Sequence, residues 1–249
     1  MKKIENRIGE KFTTNEGYTI EIVYYRNNKD CDVKFLDEYG YISKNRYFKD
    51  LLVGKVKNPY HPAVYGRGYI GEGEGGKGRV YNIWKKVLQR CYSKEYHIKK
   101  PTYIGCSVVE EWLNFQNFVQ WYKENYNPKT MEGWHLDKDI LFKGNKIYSP
   151  ETCCFVPADI NSLLTKTNAK RGKYPIGVSV TGNKFSTQIS NKRKGSTSYI
   201  GLFSTPEEAF KAYKKVKEQR IKEVADKWKY LINDEVYKAL YNYEVDIHD

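Results

Sequence analysis

The sequence predicts an α+β protein of three parts, on the basis of three observations. The first 78 residues contain runs in which apolar and polar residues alternate, as in strands. Residues 79–168 begin with apolar residues at helical spacing, and residues 169–249 combine three short strands with a long helix. A chain of 249 residues with 40% hydrophobic content is long enough for two or three small domains.

The N-terminal part predicts a β-hairpin. Residues 18–25 and 31–36 alternate with period two, and the polar residues 27–30 between them favour a turn. Residues 58–78 are rich in proline and glycine, which predicts a loop that leads into a flexible connector. Its glycines do not predict a phosphate-binding loop, because no Lys-Ser or Lys-Thr pair follows them.

The central part begins with two predicted helices. Residues 79–92 predict a helix that is apolar on one side and basic on the other. Its apolar residues are Val80, Ile83, Trp84, Val87, Leu88 and Cys91. Residues 110–126 form the second predicted helix, which ends before Asn127-Pro128. Its predicted buried residues are Trp112, Phe115, Phe118, Val119 and Tyr122. Their helical spacing favours a packed core over a platform for stacking bases.

A histidine and two aspartates follow Gly133 in a predicted strand. Asp137 and Asp139 lie two residues apart, so a regular strand would place both carboxylates on one face, where they suit a divalent cation. His135 falls on the same face and is a candidate general base. In the alternative interpretation, His135 is an ordinary surface residue and the carboxylates pair with neighbouring lysines. Those lysines are Lys138, Lys143 and Lys146.

The C-terminal part predicts a three-stranded sheet followed by a helix. The strands are residues 176–180, 184–190 and 198–203, separated by turn residues. Ser204 or Thr205 can cap the following helix, Pro206 suits its first turn, and two glutamates complement its dipole.

The net charge of +13, from 43 basic and 30 acidic residues, predicts a polyanionic partner. The alternative is a solvated basic surface that serves solubility. No segment is apolar enough to span a membrane, and the N-terminus lacks the apolar core of a signal peptide, so we expect no membrane partner and a location in the cytoplasm.

Five cysteines are too few, and odd in number, for a disulfide framework. A zinc site would need Cys91, His97, Cys106 and one of Cys153 and Cys154. No Cys-x-x-Cys pair is present to begin such a site, and zinc is not expected.

Residues 134–161 resemble the core of HNH-type endonucleases of phages. The residues that carry the resemblance are Leu136, Asp137, Lys138, Asp139, Tyr148, Ser149, Pro150, Glu151 and Cys153. Upstream, the helical segments that precede this core in such proteins are matched by Tyr81, Trp84, Arg90, Cys91, Glu110, Glu111, Trp112, Phe115 and Phe118. In the same family a small barrel-like β module precedes these helices.

The resemblance implies three domains and a metal-dependent site. The first domain is residues 1–78, a β module with its glycine-rich linker, and the second is residues 79–168, a ββα-metal core with its helical lead-in. The third is residues 169–249, a DNA-binding domain with a C-terminal helical extension. Asp137, Asp139 and Thr152 would hold Mg²⁺ or Mn²⁺, and His135 and Asp137 would be catalytic. Thr152 stands where the family usually has asparagine, which implies a weakened or absent cleavage activity.

The C-terminal part resembles the apetala/ethylene-response-factor DNA-binding domain of plants, through the segments GVSVTGNKFSTQIS and YIGLFSTPEEAFKAYKKV. That resemblance implies that one sheet face enters the major groove of DNA. The side chains expected at bases are Ser179, Ser186, Gln188, Ser190 and Tyr199. Those expected near phosphates are Lys184, Lys192, Arg193 and Lys194.

Together these features predict a DNA-binding protein of a phage or mobile element that nicks or cleaves duplex DNA, in the cytoplasm of a bacterial host. The alternative is a catalytically silent protein with the same core. Such a protein would inhibit a host defence nuclease or regulate transcription.

Overall fold

The computed structural model describes residues 7–164, 174–191 and 196–247. Helices and several small sheets are mixed along the chain, in agreement with the predicted α+β class. The chain forms two compact units, Met1–Tyr122 and Lys123–Asp249. In the described residues, no helix is both long and apolar enough to cross a bilayer.

The first unit begins with a four-stranded antiparallel sheet in the order β1-β2-β3-β4. Its strands are β1 (Lys11–Thr13), β2 (Thr19–Asn27), β3 (Asp30–Phe35) and β4 (Ile42–Arg46), and helix α1 (Phe48–Leu52) follows. The predicted hairpin is β2 and β3, paired from Ile20 opposite Phe35 to Asn27 opposite Asp30. Alternate residues of these strands form a core with Leu51 of α1. Among the described residues, β1 and β4 each pair with one strand, so the sheet is open where the family resemblance implied a barrel.

The glycine-rich segment is packed, which contradicts the predicted flexible connector. The Gln116 side chain donates hydrogen bonds to the carbonyls of Ile70 (2.7 Å) and Glu74 (2.9 Å) and accepts one from the Glu74 amide (2.9 Å). A Cβ at Gly68 would lie 2.3 Å from Leu88 Cδ1 and 2.8 Å from the ring of Trp84. Gly68 therefore allows the backbone to approach the buried side chains of Leu88 and Trp84 closely.

The helical part of the first unit contains α2 (Gly78–Tyr92) and α3 (Lys94–Lys99), a 3-10 turn (Pro101–Tyr103), strand β5 (Ser107–Val108) and a second 3-10 turn (Glu110–Leu113). Most of α4 (Phe115–Asn125) also belongs to it. Helix α2 confirms the first predicted helix and buries Trp84, Val87, Leu88 and Cys91.

The single helix predicted for residues 110–126 is wrong, because Asn114 interrupts it. The Asn114 carboxamide oxygen accepts the amide of Gln116 at 3.0 Å, as a capping side chain does, and α4 begins at Phe115. Phe115, Phe118 and Val119 are buried as predicted, whereas Trp121 is buried in place of Tyr122.

After the last residues of α4, the second unit contains β6 (His135–Asp137), β7 (Ile147–Tyr148), β8 (Cys154–Val156) and α5 (Ala158–Leu164). Strands β6 and β8 are antiparallel, with His135 opposite Val156 and Asp137 opposite Cys154.

A second sheet follows, with β9 (Val178–Thr181), β10 (Lys184–Asn191) and β11 (Ser196–Phe203) in the order β11-β10-β9, and then α6 (Pro206–Trp228) and α7 (Asp234–Tyr241). These elements confirm the three predicted strands and the helix. One face of the sheet packs against α6, where Ile189, Phe210 and Tyr213 are buried together. Of the two predicted caps, Thr205 caps α6: its hydroxyl accepts the Glu208 amide at 3.2 Å.

The two sheets of the second unit are connected through α5 and α6. Asp159 of α5 accepts hydrogen bonds from Lys227 Nζ (3.0 Å) and Trp228 Nε1 (3.1 Å) on a single carboxylate oxygen. Lys217 Nζ donates to the Leu163 carbonyl at 2.7 Å, near the end of α5. The helix that supports the second sheet therefore also positions the helix beside β6.

Candidate functional site

The candidate site combines β6, β8 and α5 in a ββα arrangement. The antiparallel register of β6 and β8 places His135 and Asp137 on one side of β6, since residues two apart share a face. Helix α5 begins two residues after β8 ends. These short elements bring side chains 26 positions apart in the sequence into contact.

His135 is exposed and contacts Asn161 of α5, with 3.0 Å between His135 Nδ1 and Asn161 Nδ2. A carboxamide nitrogen is a donor, so Nδ1 accepts here and a neutral ring carries its proton on Nε2. A 180° rotation of the Asn161 amide would present its oxygen to Nδ1–H instead, and Nε2 would then be able to accept a proton. The contact with Asn161 therefore orients the imidazole ring of His135 beside α5.

Asp137 is half-buried at the end of β6. Its Oδ1 accepts the amide of Asp139 at 2.7 Å and the amide of Ile140 at 3.0 Å, which turns the chain away from the strand. Burial raises the pKa of the Asp137 carboxyl above its usual range, and the negative charge of Asp139 adds to that rise. The two amide hydrogen bonds and Lys138 act in the opposite direction without cancelling it.

Asp139 does not share a strand face with Asp137, and that prediction is wrong. Strand β6 ends at Asp137, and Asp139 lies in the bend that follows. Lys138 is buried, forms an ion pair with Asp139 and donates to the Asn145 carbonyl at 2.5 Å. The alternative pairing of an acid with Lys138 is therefore the arrangement that the structure shows for Asp139.

Thr152 belongs to the turn between β7 and β8. Its hydroxyl donates to the Ile147 carbonyl at 2.8 Å, and its amide donates to Ser149 Oγ at 3.2 Å. The oxygen that the sequence predicted as a metal ligand therefore holds the turn closed.

Each of the three predicted metal ligands contacts another group of the chain. Asp137 accepts two backbone amides, and Asp139 pairs with Lys138. Thr152 donates to the Ile147 carbonyl. Across the described ranges, no three histidine, cysteine or acidic side chains are grouped as metal ligands. The site for Mg²⁺ or Mn²⁺ that the resemblance implies therefore stays a prediction.

The five side chains predicted at DNA bases lie on the outer face of the β9–β11 sheet. Gln188 lies opposite Tyr199, Ser186 opposite Ser179 and Ser190 opposite Thr197. All of them are exposed except Ser186, which is half-buried and 2.9 Å from Ser179 between hydroxyl oxygens. Their neighbours Thr187 and Ile189 are buried on the opposite face.

Of the residues predicted near phosphates, Lys184 is exposed at the start of β10. Lys192, Arg193 and Lys194 lie outside the described residues.

Two groups of residues were missed by the sequence analysis. Asn161 was missed because its contact with His135 depends on the packing of α5 beside β6. Thr197 and Leu202 also belong to the outer face of the sheet, because they pair with Ser190 and Ser186 across β10 and β11. The two-residue alternation of β11 could have identified Thr197 beside Tyr199, whereas Leu202 reaches this face through a shift of the strand register between Thr187 and Gln188.

Comparisons with family models, curated proteins and solved structures found no match to this chain.

Proposed function

We propose that this chain binds duplex DNA through the outer face of β9–β11. The observation that carries the proposal is the division of this sheet into one face buried on α6 and one face of exposed hydroxyl, amide and phenol groups. Strands with such side chains can read base edges in a groove of the duplex. The net charge of +13 favours the same partner, because it attracts a polyanion.

Gln188 is the residue with the greatest capacity for base recognition on this face. A carboxamide can donate to and accept from adenine at once, whereas a serine hydroxyl discriminates weakly between bases. Tyr199, which is 67% exposed and directly opposite Gln188, provides an adjacent ring. We therefore expect recognition centred on this pair, with the serines at its edge.

Gln188→Ala tests this proposal against Gln219→Ala, a matched change at an exposed glutamine of α6. A preferred site is first selected from random duplexes, and affinities are then measured by fluorescence anisotropy. We expect Gln188→Ala to cost about 1–3 kcal/mol on that site and little on other sequences. Gln219→Ala should bind as the unmodified chain does. Equal affinities of the two variants for the selected site would exclude recognition by this face.

Cleavage of DNA by the β6–β8–α5 core is a second candidate function. The contact between His135 and Asn161, beside Asp137, favours it because a histidine whose ring is held in place suits proton transfer. The predicted ligands contact other groups of the chain, so we assign no step to a metal.

The test is nicking of supercoiled plasmid with Mg²⁺ or Mn²⁺, before and after His135→Ala and Asp137→Asn. Asp234→Asn, at the start of α7, is the matched control. Loss of nicking in the first two variants alone would support catalysis by this core. An unmodified chain that binds DNA and cuts it with neither ion would instead be the catalytically silent protein. The Lys138–Asp139 ion pair favours that outcome.

A further inference from the structure

The positive charge of the first unit is concentrated in one segment. Residues 77–100 contain eight basic residues and one acidic residue, whereas the rest of Met1–Tyr122 contains 13 of each. The basic residues are Lys77, Arg79, Lys85, Lys86, Arg90, Lys94, Lys99 and Lys100. The whole net charge of this unit is therefore carried by α2, α3 and their ends.

Packing of α2 directs this charge to the surface. The helix buries Trp84, Val87, Leu88 and Cys91, and Lys85 and Lys86 are exposed between them in the sequence. Helix α3 has no buried residue, and Lys94, Lys99 and Lys100 are exposed along it and at its end. Within the described residues, none of the six lysines of this segment forms an ion pair. Their ammonium groups are therefore available to a partner.

Helix α3 is held firmly against α2 despite its exposure. Ser93 Oγ accepts the Tyr96 amide at 3.2 Å and so caps the helix. His97 Nε2 donates to the Arg90 carbonyl at 2.8 Å, and the rings of Tyr96 and Tyr103 lie 5.7 Å apart. The lysines of the two helices thus project from a fixed frame, which reduces the entropy lost when a ligand binds.

We propose that α2 and α3 form a second nucleic-acid surface, which binds the sugar–phosphate backbone of duplex DNA without reading its sequence. Helix α2 is about 22 Å long at 1.5 Å per residue, a length that faces several phosphates of a duplex. Placing so many like charges together costs self-repulsion, which a polyanion relieves. This surface lies in a different unit from the β9–β11 face, and the inference does not depend on that face.

An anionic membrane is the competing partner, and the surface fits it less well. A membrane-binding amphipathic helix needs a broad apolar face beside its lysines. Here the large exposed apolar side chains are Ile98, 81% exposed, and Ile104, 58% exposed. Two isolated isoleucines do not form such a face.

The test uses the full chain with Lys85, Lys86 and Lys99 replaced by alanine. The control replaces Lys29, Lys44 and Lys55, which are exposed lysines from the charge-balanced part of the same unit, and so removes equal charge. Anisotropy titrations with labelled 30-base-pair duplexes of unrelated sequence are made at several KCl concentrations. Circular dichroism and thermal unfolding establish that both variants fold.

We expect the Lys85/Lys86/Lys99 variant to lose about tenfold or more in affinity at low salt on every duplex. The slope of log affinity against log salt should shrink by about 2 to 3, since each lost phosphate contact removes about 0.9. The control should keep the slope of the unmodified chain. Equal slopes in the two variants would overturn the proposal. So would retained DNA binding with loss of binding to phosphatidylserine vesicles, which would assign the surface to a membrane.

The outcomes separate this inference from the proposed function. One possible result is that Gln188→Ala binds the selected site normally while the lysine variant shows the reduced slope of log affinity against log salt. The β9–β11 proposal then fails and this one stands. The reverse result overturns this inference alone.

Discussion

Asp137 combines a structural role with an unfavourable ionisation. Its carboxylate holds the turn after β6 by accepting two amides, and burial raises its pKa in the folded chain. A carboxyl with a raised folded pKa stabilises the fold below its unfolded pKa of about 3.9, and that contribution is lost as pH rises through the folded value.

Asp137→Asn should therefore stabilise the chain at neutral pH. The asparagine oxygen can still accept both amides, but it carries no charge to bury. We expect the variant to have the larger free energy of unfolding at pH 7, and the advantage to shrink as pH falls toward 3. Urea titrations across this range in the presence of a chelator measure it. A variant that is less stable at pH 7 would show that the charge itself is required.

Gly68 occupies a position with no room for a side chain. Its hydrogens face Leu88 and Trp84, both fully buried in α2. Gly68→Ala should lower the free energy of unfolding by about 1–3 kcal/mol, as overpacking of a core does. Gly75→Ala is the control, because no heavy atom lies within 4 Å of its added Cβ, and its effect should stay within about 0.5 kcal/mol. Similar losses in both variants would mean that the segment is not packed as described.

Helix α6 depends on a reciprocal cap at its first turn. The Thr205 hydroxyl accepts the Glu208 amide, and the Glu208 carboxylate accepts the Thr205 amide at 3.3 Å. Thr205→Ala should cost about 0.5–2 kcal/mol in thermal or urea unfolding, whereas Ser204→Ala should be nearly neutral. The neighbouring serine contributes its backbone amide to Glu208, which alanine preserves. A larger loss of stability in Ser204→Ala than in Thr205→Ala would show that Ser204 is the capping residue.

The elements that the sequence predicted correctly are those with local causes. Turn residues separate β9 from β10, and the cap of α6 involves four consecutive residues, Thr205 to Glu208. The prediction of a flexible connector failed because the segment is held by residues distant in the sequence. Gln116 and Trp84 both lie well after the residues of the glycine-rich segment that they contact. A composition typical of a linker is equally typical of a segment packed at close range.

The candidate site shows the same limit. The resemblance to the apetala-type domain predicted Gln188 and Tyr199 on one outward face, and both are exposed and opposite each other there. Asp139 was misplaced because the amides of Asp139 and Ile140 bond to Asp137 and end the strand, which spacing alone does not reveal. Asn161 meets His135 only through the packing of α5.

Both units of the chain are basic, but their charge is arranged differently. Met1–Tyr122 contains 21 basic and 14 acidic residues, and Lys123–Asp249 contains 22 and 16. In the first unit the excess lies in one helical segment, whereas in the second several described lysines are engaged within the fold, as Lys138 is with Asp139 and Lys227 with Asp159. A surface for phosphates in the first unit would supply affinity, and a surface for bases in the second would supply sequence recognition.

The five cysteines are free and buried throughout the chain, which supports a prediction for the whole molecule. Burial raises the pKa of Cys153 to about 12 and also raises the pKa values of Cys31 and Cys154, so their reactive thiolates are scarce at neutral pH. Titration of the native chain with Ellman's reagent should therefore show no fast-reacting thiol, and the same titration in guanidinium should show five. Added reductant should leave the unfolding midpoint unchanged, because no disulfide contributes to stability. A thiol that reacts rapidly in the native chain would identify a cysteine that opens to solvent, and the five Cys→Ser variants would show which one it is.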